Sequence, residues 1–162
     1  MRAATRTAGL WGHLACAWAV LFAGLHFYWA LGGDRGLSVS AGQALATERP
    51  SWFVAAGLWG VGILCLAGGA LGWLLTRPRL PRPVGPTVRW LGRSAAALLI
   101  IRAAAIELLL LTGSPRLDAS VSADQRFWTL VSWNPWFALG GLLFGLAAWG
   151  SGRLRPSAGR GG

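Results

Sequence analysis

Four long apolar blocks, separated by polar links, set the pattern of this chain. They run from about Leu10 to Leu31, Trp52 to Leu75, Val88 to Leu111 and Leu130 to Trp149. Each approaches or exceeds the roughly 20 apolar residues that a helix needs to cross about 30 Å of hydrocarbon. In hydrocarbon a backbone amide must find its partner within its own segment, so the blocks predict helices. The period-two alternation of a closed barrel is absent. The expected fold is all-α: one integral membrane domain over residues 1–162, folded as a four-transmembrane-helix bundle.

Polar residues in the links orient the bundle. All the cationic side chains are arginine, and most fall in three places. Arg2 and Arg6 precede the first block, Arg77, Arg79, Arg82, Arg89 and Arg93 fill the second link, and Arg153, Arg155 and Arg160 follow the fourth block. In the other two links Arg35 and Arg49 are offset by Asp34 and Glu48, and Arg116 and Arg126 by Asp118 and Asp124. Excess Lys/Arg marks the cytoplasmic side, so both termini and the middle link are expected inside, in a multi-pass protein of the inner (cytoplasmic) membrane. The net charge of +10 then meets anionic lipid rather than nucleic acid, which is not expected as a partner. Tryptophan agrees: Trp11, Trp73, Trp90 and Trp149 fall at the inner ends, and Trp29, Trp52, Trp128, Trp133 and Trp136 at the outer ends, where an indole finds both shelter and water.

The first block reads as a retained helix, since it is longer than a signal-peptide core and no small-residue cleavage pattern follows it. Cys16 and Cys65, alone within two blocks, read as small buried hydrophobes; no metal site and no cofactor is expected. The proline-rich link from Arg77 to Pro86 should be extended. Ser40-Ala41-Gly42-Gln43 and Ser122-Ala123-Asp124-Gln125 fit the capping-box pattern and predict short surface helices on the outer face. Gly68/Gly72 and Gly141/Gly145 are small-xxx-small pairs, which let helix backbones approach in lipid. They serve packing within the bundle or a homodimer.

Ionisable groups inside hydrocarbon are costly and hence functional candidates. His26, Arg102 and Glu107 qualify, with Asn134 as a polar neutral group. At 1.5 Å per residue His26 and Glu107 lie roughly 6 to 9 Å below the outer surface, Asn134 at a similar or shallower level, and Arg102 near the midplane. Arg102 and Glu107 are about 140° apart around their helix, which suggests a shared partner across the bundle rather than a direct pair. Trp18, Phe22, His26 and Trp29 form one aromatic helix face that should look inward. One expectation is a structural network of Arg102, Glu107, His26 and Asn134 that locks the bundle. The other is a pocket of Trp18, Phe22, Trp29, Trp133 and Trp136, with Tyr28 nearby, in which Glu107 and His26 handle a proton on an amphiphile.

The string His26-Phe27-Tyr28-Trp29-Ala30-Leu31-Gly32-Gly33, with Asn134-Pro135-Trp136-Phe137 and Gly140-Gly141-Leu142-Leu143-Phe144-Gly145, resembles a family of small bacterial four-helix membrane proteins catalogued as a domain of unknown function. The resemblance implies the fold and the membrane location, and no activity. His26, Glu107, Asn134 and Trp136 are also the residue types that the sterol-isomerase and emopamil-binding group places in a helical membrane pocket, which admits an isomerase or cyclase acting through Glu107 and His26. In size and tryptophan content the chain is similar to small multidrug resistance transporters, which admits a proton-coupled exporter or accessory subunit. The leading expectation is a protein that binds a lipid or small amphiphile at Trp18, Phe22, His26, Tyr28, Trp29, Arg102, Glu107, Trp133, Asn134 and Trp136.

Overall fold

The computed structural model describes residues 2–77, 80–81, 83–113 and 121–152, and it is helical almost throughout. α1 is Arg2–Ala30, α2 is Leu37–Ala41 and α3 is Gln43–Glu48. α4 is the span Phe53–Leu75, whose first part, Phe53–Gly60, is π-helical. α5 is Val84–Thr112. α6 joins Ala123–Trp128, a π-helical turn at Thr129–Trp133 and Asn134–Gly152 into one rod. α1, α4, α5 and α6 are long and apolar enough to cross a membrane, as the hydropathy pattern predicts. Arg79, Arg82, Arg116, Asp118, Arg153, Arg155 and Arg160, on which much of the orientation argument rests, lie outside the described residues, as do the side chains of Arg2 and Arg6.

Two helices begin earlier than their apolar blocks. α5 starts at Val84, so Pro86 lies in its first turn instead of in an extended link. An N–H in the first turn has no carbonyl to bond within the helix, so proline loses nothing there. α6 starts at Ala123 because Ser122 caps it: the hydroxyl accepts from Gln125 N at 3.2 Å. The expected separate surface helix is therefore the first turns of the fourth span. Ser40, in contrast, is not a cap. It lies inside α2, and α3 starts after Gly42, whose φ of +92° turns the chain.

Close backbone approach holds the bundle together. A Cβ on Gly72 of α4 would lie 2.7 Å from Cys16 N of α1, and one on Gly12 would lie 2.8 Å from Gly72 O. In the α5–α6 seam a Cβ on Gly141 would lie 3.0 Å from Ala96 O. Both small-residue stripes are thus used inside the chain, where missing side chains convert into dispersion contact between backbones. The contacts pair the start of α1 with the end of α4 and the middle of α5 with the middle of α6, which gives antiparallel neighbours. α6 lies between α1 and α5, and these two have no substantial contact with each other among the described residues. α4 packs along α1 but meets α5 only slightly, with Leu75 lying against Gly92.

The end of the bundle that carries α2 and α3 is closed by Trp29, Leu37, Phe53 and Leu58, all buried. Arg49, in the left-handed region at φ 43°, is held there by its own guanidinium. It donates to Trp29 O at 2.8 Å, to Ala46 O at 3.3 Å and to Gly33 O. Trp29 O and Gly33 O belong to the last turn of α1 and the chain just beyond it, so this arginine caps a helix C-terminus and complements its dipole. Arg126 does the same for α5 by donating to Leu110 O. Counting these arginines as merely offset by Glu48 and Asp124 overlooks that capping role.

Candidate functional site

A π-helical turn and a proline build the site. Pro135 has no N–H for the carbonyl one turn before it, and the preceding Thr129–Trp133 turn widens to π geometry, the usual way a helix absorbs such a break. Asn134 sits at that junction with its side chain 3% exposed. Its Nδ2 donates to Glu107 Oε2 at 2.6 Å, and its Oδ1 accepts from Arg102 Nη1 at 3.5 Å. The first is a short bond to a carboxylate, the second a contact at the limit of hydrogen bonding. Asn134 is therefore the shared partner that joins Arg102 and Glu107 through the α5–α6 seam.

The two charged groups reach Asn134 from opposite edges of that seam. Glu107, Asn134, Ile100, Ala103, Ala104, Pro135 and Ala138 line an open groove of about 320 Å³ between α5 and α6. Ile100, Ala103, Ala104 and Glu107 recur at helical spacing, so they form one stripe of α5. Arg102 lies off that stripe. Its guanidinium carbon sits 3.6 Å over the ring of Phe137, a cation–π arrangement, and much of its side chain is exposed.

The aromatic residues come together as packed core, with a smaller recess beside them. Trp18 stacks on Trp136 with centroids 5.6 Å apart and donates from Nε1 to Trp136 O at 3.0 Å. Phe22 meets Phe137 edge-on at 5.3 Å and His26 edge-on at 4.6 Å. Trp29 touches both His26 and Trp133. The predicted inward face is real, since Trp18, Phe22, His26 and Trp29 are all buried. Phe22, Trp133 and Trp136 also line a cavity of about 200 Å³ with Leu21, Leu25 and Ser132. The indole N–H groups of Trp133 and Trp136 are buried without an acceptor among the described residues, and their rings meet other rings, Trp136 by stacking and Trp133 by edge and tilted contacts.

His26 belongs to this core and not to the polar seam. Its Nδ1 donates to Phe22 O at 2.9 Å within its own helix, and no hydrogen bond links it to Glu107, Arg102 or Asn134 among the described residues. α6 separates the two groups, so depth alone does not bring them together. Tyr28 is 42% exposed and off the aromatic face, its ring lying against Gly33. Cys16 and Cys65 are free thiols, and no cluster able to hold a metal ion occurs among the described residues.

Residues 19–144 match the model of a family described as a protein of unknown function (DUF3995). No curated protein and no solved structure matches the chain.

Proposed function

Since the chain belongs to that family of unknown function, whose description carries no activity, we propose a function from the site itself: the protein binds a lipid or small amphiphile in the groove between α5 and α6, anchored by Glu107 and Asn134. The observation that carries this reading is the Glu107–Asn134 hydrogen bond in a groove that is otherwise lined by small apolar side chains. A carboxylate in a membrane span costs free energy unless it meets a partner or a polar ligand. Asn134 occupies one of its oxygens. Alanines at Ala103, Ala104 and Ala138 keep the walls low, and a groove of about 320 Å³ is within the ordinary range for a ligand site.

Binding is favoured over proton-transfer chemistry because a single ligand in this groove reaches Glu107 and not His26. In the orientation expected from the arginines, the groove opens sideways into the outer leaflet, so a ligand enters from the bilayer. The test is lipid analysis of protein purified in a mild non-ionic detergent, comparing wild type with Ala104→Phe and Ala138→Phe, which fill the groove. Wild type should retain a discrete amphiphile that both variants lose while staying folded. Equal retention by all three proteins would refute the location.

A further inference from the structure

Arg102 is a cation in the middle of a span with little to neutralise it directly. α5 runs 29 residues, and Arg102 is ten residues from its end, about 15 Å at helical rise. Its only hydrogen bond among the described residues is the 3.5 Å contact with Asn134 Oδ1, and Glu107 reaches it only through that amide. The remaining guanidinium N–H groups have no acceptor there. On insertion scales an arginine near the centre of a membrane helix costs about 2.5 to 3.5 kcal/mol, and such residues usually pair or line a polar path.

The guanidinium is also held in place. Its central carbon sits over the ring of Phe137, which packs on Phe22 and Trp18 of α1, so the contact roots the cation in the aromatic core. The Arg102 side chain is nevertheless exposed at the edge of the seam. An exposed planar fork of donors, held against an aromatic ring, is suited to accept a carboxylate or phosphate. A partner helix, about 10 Å across, would have to reach a group drawn back onto Phe137, whereas a headgroup on a flexible chain need not.

We propose that Arg102 is an anion-binding residue and that the ligand is an acidic amphiphile, its carboxylate or phosphate bound to the guanidinium stacked on Phe137. Arg102 reaches Asn134 from the edge of the α5–α6 seam opposite the Glu107 groove, so this is a second site, beyond the groove proposed above, and its anion stays clear of the Glu107 carboxylate. Oleic acid and phosphatidic acid share the required chemistry. Oleyl alcohol and phosphatidylcholine supply the same chains without an uncompensated anion.

The experiment is native mass spectrometry of the full chain in non-ionic detergent, with these four amphiphiles added in turn at equal concentration. Charge-assisted hydrogen bonds of this kind correspond to a preference of about ten- to hundredfold. Wild type should therefore retain at least one acid over its neutral counterpart by that factor, and the acid retained identifies fatty acid or phospholipid as the source. Arg102→Gln should lower acid retention to the neutral level with neutral retention unchanged, and Arg102→Lys should fall between. Equal retention of acids and neutrals by wild type would overturn the role of Arg102 while leaving amphiphile binding in place, whether or not the variants fold. Retention of none of the four would remove the binding reading as well. A second protein released from wild type and absent from Arg102→Gln, with no acid preference, would assign the arginine to a protein interface instead.

Discussion

Replacing Asn134 by leucine removes the bridge between Arg102 and Glu107 while keeping the branched shape of the side chain. The bond to Glu107, at 2.6 Å, is short and charge-assisted, a class that contributes about 1.5 to 3 kcal/mol in soluble proteins. Side-chain hydrogen bonds within membranes contribute less, about 0.6 kcal/mol on average and up to about 1.7, because the unfolded helices find other partners. The 3.5 Å contact with Arg102 adds at most a few tenths of a kcal/mol at that length. Leucine also leaves a carboxylate facing an apolar side chain in a buried seam. The sum is a loss of about 2 kcal/mol. Reversible unfolding in mixed micelles, followed by tryptophan fluorescence, measures it, and a double-mutant cycle with Glu107→Gln isolates the pair. The cycle should give a coupling of about 1 kcal/mol, whereas additivity within about 0.3 to 0.5 kcal/mol would refute the bridge as an energetic unit.

Other perturbations probe the packing, the cap and the orientation. In the same micellar unfolding assay Gly72→Ala should destabilise by about 1 to 3 kcal/mol because its Cβ would strike the backbone of Cys16, which has no side-chain freedom to yield; Gly24→Ala, which meets nothing within 4 Å, should be neutral or slightly stabilising. Arg49→Met removes three hydrogen bonds to carbonyls and should cost about 1 to 2 kcal/mol, measured by denaturant unfolding, with no change if water takes over those carbonyls fully. In a chain with Cys16 and Cys65 changed to alanine, an impermeant maleimide applied to intact cells should label a cysteine at Gln43 but not one at Pro83, both exposed positions. The opposite labelling would reverse the bundle and place the groove in the other leaflet.

Much of the architecture was legible because hydrocarbon leaves the backbone few options. Four apolar blocks of sufficient length can only be helices, and glycines at spacing four identify seams such as Gly68/Gly72 against α1 and Gly141/Gly145 against α5. The angle between Arg102 and Glu107 around one helix was enough to call for a shared partner, and Asn134 supplies it. The order of helices around the bundle was not legible, since hydropathy says how deep a residue lies and not which neighbour it faces. Hence His26 and Glu107 shared a level in the sequence and stand on opposite sides of α6 in the fold. The capping box at Ser122 is present, but hydropathy does not show that the helix it starts runs on into the fourth span, nor that Pro86 lies within the first turn of α5. The aromatic rings pack mostly on one another, so Trp18 and Phe22 lie in the core with Trp136 against it, while Phe22, Trp133 and Trp136 also line the smaller cavity.

A lipid-like molecule seated in the α5–α6 groove would be captured there by photo-crosslinking. A fatty alcohol carrying a diazirine along its chain would be added to the protein in lipid nanodiscs, irradiated, and its adducts located by peptide mass spectrometry. Adducts should concentrate on Ile100 to Glu107 and on Pro135 to Ala138 and be lost in Ala104→Phe. Adducts spread evenly over exposed ridges such as Leu64, Leu98 and Leu142, unchanged by Ala104→Phe, would contradict that placement.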